Sequence, residues 1–126
     1  MRTVSSKTYI VDANIWIDFF QHDKFRAELT GGSIETPAVV LVELAGYFAK
    51  NRIPEEFSSV CFADIMDLGA VRGLDMEQAL KAAKIKRDTG LPTIDAIIYS
   101  YVAEGKILLT QDSDMKGLPG VDYRAK

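Results

Sequence analysis

Short continuous apolar runs alternate along this chain with longer stretches of helical spacing, and glycine, proline or an acid marks most of the joins. Tyr9-Ile10-Val11 reads as a strand that stops on Asp12, after which a cap-like Asn14 precedes the apolar residues 15–20. His22-Asp23-Lys24 breaks that run before residues 25–29, which predicts two short helices. His22 is the only histidine, and in so charged a turn it reads as a surface residue. Gly31-Gly32 is a break, and residues 33–37 form a brief strand whose Pro37 opens the next helix at its first position.

That helix, AVVLVELAGYFA over residues 38–49, carries Glu43 as its one charge. A helix apolar on nearly all sides is expected to be buried, and a buried carboxylate needs a partner, either a metal ion or an arginine such as Arg52 or Arg72. After Pro54 the stripe Phe57, Val60, Cys61, Ile65 and Leu68 reads as core or dimer interface, closed by Gly69, with a short strand over residues 70–74. Asp75 then caps a helix with Met76, Ala79, Leu80 and Ala83 expected inward, Lys81 and Lys84 outward, and Lys86 and Arg87 at its cation-favouring end. In residues 91–103 Asp95 is the only charge; Thr93 is the expected cap, Ile94, Ile97, Ile98 and Tyr101 the buried stripe, and Gly105 the end. Residues 106–110 form the best strand after the first and run into Gln111-Asp112-Ser113-Asp114. Residues 117–120 make a turn and residues 121–123 an edge strand.

Strands alternating with helices predict an α/β fold, with a parallel sheet covered on both faces and right-handed crossovers. At 126 residues the chain fits a single domain over residues 1–126. No apolar run approaches the roughly 20 residues a membrane helix needs, and residues 1–7 lack the apolar core of a secretory signal, so the expected location is the cytoplasm and no membrane partner is expected. Cys61, the single cysteine, excludes an internal disulfide and reads as a buried, inert thiol. A net charge of -3 argues against a nonspecific polyanion binder, so nucleic acid would have to be held by local basic patches or a bridging metal.

In a parallel sheet Asp12 and Asp112 end strands on the same edge, where open α/β sheets form their ligand crevice. Glu43 and Asp95 stand on helices with almost no other charge and complete four converging carboxylates. The plain alternatives are a turn role for Asp12 and a dipole contact for Asp95. Four acids in one site repel unless something positive neutralises them. An all-oxygen set favours Mg²⁺ or Mn²⁺, one ion or two, and points to phosphodiester chemistry.

These residues resemble the PIN domains, and within them the small VapC-type toxins. Ile10-Val11-Asp12-Ala13-Asn14 is similar to the family's opening strand and first acid, Val42-Glu43-Leu44 to the second, Ile94-Asp95-Ala96-Ile97-Ile98 to the third, and Leu109-Thr110-Gln111-Asp112-Ser113-Asp114 to its Thr-x-Asp-x-Asp ending. The resemblance implies a three-layer α/β/α sandwich with a five-stranded parallel sheet of order 3-2-1-4-5. It also implies a Mg²⁺- or Mn²⁺-dependent endoribonuclease acting on RNA, a homodimer and a cognate antitoxin. Asp12, Glu43, Asp95 and Asp112 become its catalytic and metal-binding set, with Asn14, Thr110 and Asp114 in support. Met115 stands where many relatives carry Phe, and Met fills the same apolar space. Lys50, Arg52, Lys81, Lys84 and Arg87 are the candidates for gripping RNA. The other readings are a catalytically inactive PIN-like module for binding nucleic acid or protein, and two other strand-end-Asp folds. Asn14 in place of a second Asp argues against a haloacid-dehalogenase-like phosphatase. A receiver domain would need an acidic pair near the first strand and a phosphorylated Asp after a middle strand, and the sequence offers neither.

Overall fold

The structure, a computed structural model, describes residues 7–126. The absence of a signal was argued mainly from residues 1–6, which lie outside that range. In chain order the elements are β1 (Thr8–Val11), α1 (Ala13–His22), α2 (Arg26–Thr30), β2 (Ser33–Pro37), α3 (Ala38–Lys50) and α4 (Glu55–Leu68). There follow β3 (Ala70–Arg72), α5 (Met76–Thr89), α6 (Thr93–Tyr99), β4 (Lys106–Thr110), a 3₁₀ turn over Ser113–Met115, and β5 (Val121–Tyr123). The strands pair in parallel in the order β3-β2-β1-β4-β5, the order 3-2-1-4-5 expected from the sequence.

Parallel neighbours need crossovers, and the helices that supply them cover both faces of the sheet, which makes β1 the buried centre. Ile10 lies level with Glu35 on β2 and Leu108 on β4, and Ile10, Val11, Leu108 and Leu109 are fully buried. On one face Trp16 of α1 is buried whole and its Nε1 donates to Thr36 Oγ1 at 3.1 Å, tying the helix to β2. Towards the other face α5 and α6 pack together, and the Gln78 amide nitrogen bonds the backbone oxygen and hydroxyl of Ser100 at 2.6 and 2.7 Å. Met115, fully buried, fills apolar space under the 3₁₀ turn as expected of it.

Burial differs from the sequence reading in four helices. In α3 the core takes only Val40, Leu44 and Phe48, spaced at i, i+4 and i+8, while Val42 is 70% exposed and Glu43 also lies on the open side. The helix is apolar all round, yet it has a solvent face. In α4 Cys61 and Ile65 are buried but Phe57 and Val60 are exposed. In α5 Met76 and Leu80 point out at 79% and 64% exposure and Ala82 points in, because α6 lies so close that only a small side chain fits between them. In α6 Ile94 is exposed and the core takes Ala96 and Ile98.

The caps also differ. Asp12, rather than Asn14, caps α1; Pro37 is the cap of α3 rather than its first residue; and Pro92 precedes α6, so Thr93 is already helical and makes no capping bond. Helix α6 ends at Tyr99, and Gly105, with φ +77°, turns the chain into β4 instead. Asp75 caps α5 as expected, accepting from Gln78 N at 2.8 Å.

Glu35, on the second strand, is a buried acid that the sequence reading passed over. It sits between Arg72 and Lys106, each at 3.1 Å. Burial alone would raise its pKa, but these two cations outweigh it and hold the carboxyl below its usual range. Arg72 is therefore engaged here, and among the described residues no cation stands within ion-pair distance of Glu43.

The two sides of α3 should respond differently to truncation. Leu44→Ala is expected to cost about 2–5 kcal/mol, and Val42→Ala to stay within about 0.5 kcal/mol, both measured by urea unfolding.

Candidate metal centre

Where β1 ends, Asp12 adopts an extended backbone and its side chain folds back over the first turn of α1. It is 5% exposed. Its Oδ1 accepts from Ala13 N at 2.7 Å and its Oδ2 from the Thr110 hydroxyl at 2.6 Å. Thr110 ends β4, the strand paired beside β1, so the bond spans neighbouring strand ends. The same hydroxyl oxygen accepts from Asp112 N at 3.0 Å, and Asp112 Oδ1 in turn accepts from Asp114 N at 2.9 Å. Asn14 Oδ1 accepts from Gln111 N at 3.1 Å. Thr110 thus bonds a carboxylate, whereas Asn14 bonds the backbone between Thr110 and Asp112.

Helices α3 and α6 pack against one another and bring Glu43 and Asp95 to this edge. Asp95, Asp112 and Asp114 can each present one carboxylate oxygen with all three atoms within 4.8 Å of one another. Asp114, ranked as support on sequence grounds, is therefore closer to the centre of the cluster than expected. Asp12 and Glu43 lie outside this trio, but their charges act on it.

Electrostatics register that crowding. Burial first, then the charges of Asp12 and Asp112, push Glu43 up to about 7. Asp95 is also pushed up to about 7, by burial, by the charge and close approach of Asp112, and by the charges of Asp12 and Glu43. Burial raises Asp12 as well, although the Thr110 and Ala13 donors pull the other way. Glu35 is answered by two cations and these acids by none. An all-oxygen, uncompensated set of this kind fits a hard divalent cation and does not fit a Cys- or His-preferring metal.

The five basic residues proposed to grip RNA are dispersed. Lys84 pairs with Asp88 at 2.7 Å and Arg87 reaches the same acid at 3.7 Å. Lys81 lines a cavity of about 630 Å³ with Arg72 and Lys106, beside the C-terminal end of α6, whereas Asp95 is in the first turn of that helix. Lys50 and Arg52 are exposed where α3 ends, about two turns beyond Glu43. None of the five pairs with Asp12, Glu43, Asp95 or Asp112 among the described residues. The sequence reading gave no role to Gln111, which is 4% exposed beside Asp112 and whose Nε2 has no hydrogen-bond partner. Its place between Thr110 and Asp112, directly after an apolar strand, was the available signal.

The family model of the PIN domain matches residues 9–121. Among solved structures, the chain is similar to a toxin-antitoxin complex from Klebsiella pneumoniae, at TM-score 0.74 and 19% identity over 93% of this chain and 96% of that one. It is similar to DNA-bound VapBC from Salmonella typhimurium, at TM-score 0.75 and 18% identity over 94% and 98%. It is also similar to VapBC2 from Rickettsia felis bound to a DNA fragment from their promoter, at TM-score 0.70 and 17% identity over 94% and 98%. No curated protein matches the sequence.

Metal-free protein should reveal the raised acids through its stability. Glu43 and Asp95 hold their protons more tightly folded than unfolded, so their contribution is full below about pH 4 and is lost as pH rises through about 7. Tm in EDTA is therefore expected to fall between about pH 4.5 and 7.5, and saturating Mn²⁺ to raise it more at the upper end of that range than at the lower. Differential scanning fluorimetry across the range checks both signs.

Proposed function

The chain belongs to the PIN domain family, and on that footing we propose that it is a Mg²⁺- or Mn²⁺-dependent endoribonuclease acting as the toxin of a type II toxin-antitoxin pair. One observation carries the reading: Asp95, Asp112 and Asp114 converge within 4.8 Å while no cation among the described residues pairs with them. In this proposal residues 1–126 act as one domain, in the cytoplasm, as a homodimer with a cognate antitoxin as partner. The likeness to the Klebsiella toxin-antitoxin complex and to the Salmonella VapBC supports the toxin reading, and the exposed Phe57, Val60, Met76 and Leu80 support association.

Asp95, Asp112 and Asp114 would hold the cation, with Asp12 and Glu43 adding charge or ligands at its edge. When bound, the cation supplies Lewis-acid polarisation of the phosphate and activation of water for in-line attack. The protein's own part is orientation and proton handling. Asp12 is fixed at both oxygens by Ala13 N and the Thr110 hydroxyl, so its charge stays aimed while substrate comes and goes. Glu43, on the open side of α3 beside these acids, is the group we assign to take a proton from attacking water.

With structured RNAs as substrates, the purified chain is expected to give products with Mg²⁺ or Mn²⁺ and none with EDTA. Asp95→Asn and Asp112→Asn prepared identically should fold and give none; a folded Asp95→Asn enzyme of full activity would refute the assignment. Thr110→Val, which removes the donor to Asp12, should cost about 10–100-fold in metal affinity or cleavage rate.

A further inference from the structure

The cavity of about 630 Å³ that Lys81 lines lies beside the C-terminal end of α6, and its volume suits a small organic ligand. Its charge runs against that of the chain. Arg72, Lys81 and Lys106 line it with only Glu35 and Asp75 opposed to them, in a protein of net charge -3. The wall is anchored from within. Glu35, 7% exposed, holds two of the cations, Arg72 through one nitrogen and Lys106 through its ammonium, each at 3.1 Å. One carboxylate therefore fixes two positive charges and neutralises one. The side chains of both cations stay open to solvent, at 52% exposure for Arg72 and 38% for Lys106. A guanidinium carries five N–H donors, and Glu35 takes a bond from only one nitrogen of Arg72. Lys81, exposed on α5, forms no ion pair among the described residues.

Beside these donors the cavity wall offers acceptors. Gln78 spends its amide nitrogen on Ser100 and keeps its carbonyl oxygen, and Asp75 spends Oδ1 on Gln78 N and keeps Oδ2. Anchored cations with unspent donors fit phosphate oxygens, which a guanidinium meets as a planar fork and an ammonium as a point charge. Acceptors next to them fit hydroxyl groups. We propose that this cavity is a second ligand site, which takes a phosphorylated sugar, alone or carrying a base, with the phosphate on Arg72, Lys81 and Lys106 and the hydroxyls toward Asp75 and Gln78. It stands apart from the acidic centre, since Asp95 is in the first turn of α6 and Ser100 caps the other end of that helix. The positive charge here comes from the protein itself, so the site needs no metal ion. It is independent of the endoribonuclease reading.

The test is isothermal titration calorimetry of the full chain in EDTA, which takes any metal-bridged phosphate at the acids out of play. Ribose 5-phosphate, inorganic phosphate and adenosine monophosphate are the probes. Ribose 5-phosphate is expected to bind about fivefold more tightly than inorganic phosphate, the worth of one or two hydroxyl hydrogen bonds. Lys81→Ala should weaken both about tenfold, whereas Lys84→Ala, on the same helix but paired with Asp88, should leave both unchanged. Asp75→Asn keeps a capping side chain and is expected to cut the advantage of ribose 5-phosphate over phosphate to about twofold. Adenosine monophosphate binding more tightly than ribose 5-phosphate supports the site and identifies a base-carrying ligand; equal affinity supports it with the sugar phosphate alone. Absence of binding by the wild type overturns the proposal and leaves Glu35, Arg72 and Lys106 as an ion-pair fastener only. Equal losses in Lys81→Ala and Lys84→Ala overturn it by reducing the effect to general attraction, and equal wild-type affinity for phosphate and ribose 5-phosphate overturns the sugar. Cleavage of RNA by the wild-type chain in Mg²⁺ reports on the acidic centre, so the failure of one reading is distinguishable from the failure of the other.

Discussion

Burial of the Asp12 carboxylate at the junction of a strand and a helix leaves its solvation to two donors, Ala13 N and the Thr110 hydroxyl. A hydroxyl has one proton, and here it goes to Asp12, so the Thr110 oxygen is left to accept from Asp112 N. Asp112 then fixes Asp114 through its backbone N–H. A single chain of hydrogen bonds thus sets the orientation of three acids contributed by two strand ends. It can exist only because β1 and β4 are parallel neighbours in matching register. The plain reading of Asp12 as a turn residue is met, since it caps α1, and its charge also acts on Glu43 and Asp95.

Acids are handled in two ways within this one molecule. Glu35 lies in the sheet with Arg72 and Lys106 against it, its charge settled inside the fold, and its pKa is low. Glu43 and Asp95 lie at the sheet edge with only other acids for company, and both are high. The difference is one of design rather than degree of burial, since desolvation is the largest influence on all three. The proposed cation would answer the repulsion that the fold leaves between these acids.

Much of this was legible in the sequence because it depends on order and termination. The strand endings at Asp12 and Asp112, the lone charges Glu43 and Asp95, and the alternation of elements led to a parallel sheet and to the four acids, and the family resemblance implied the strand order. Facing directions were less legible. Met76 and Leu80 were expected inside and lie outside, because the closeness of α5 to α6 selects Ala82, and no local pattern reports how near another helix will come. Glu43 was expected to be enclosed by its apolar neighbours, yet α3 buries one narrow line and exposes Val42. The caps at Pro37 and Pro92 were each missed by one residue, since proline fits both just before a helix and at its start. Glu35 was missed because its partners come from β3 and β4, distant in sequence.

Strand β2 passes into α3 with no loop between them: Pro37 is both the last residue of the strand and the cap of the helix. The angular phase of Glu43 is therefore set by the sheet itself. Each residue of an α-helix turns by about 100°, so one residue inserted between Pro37 and Glu43 would swing the carboxylate off the edge where Asp12 and Asp112 lie. The same turn would carry Leu44 and Phe48 out of the core, so the insertion costs packing as well as the aim of the carboxylate. The stretch from Pro37 to Glu43 is in effect a ruler of fixed length, and tolerance for insertion lies after Lys50, where the chain leaves the helix through the exposed Asn51 and Arg52.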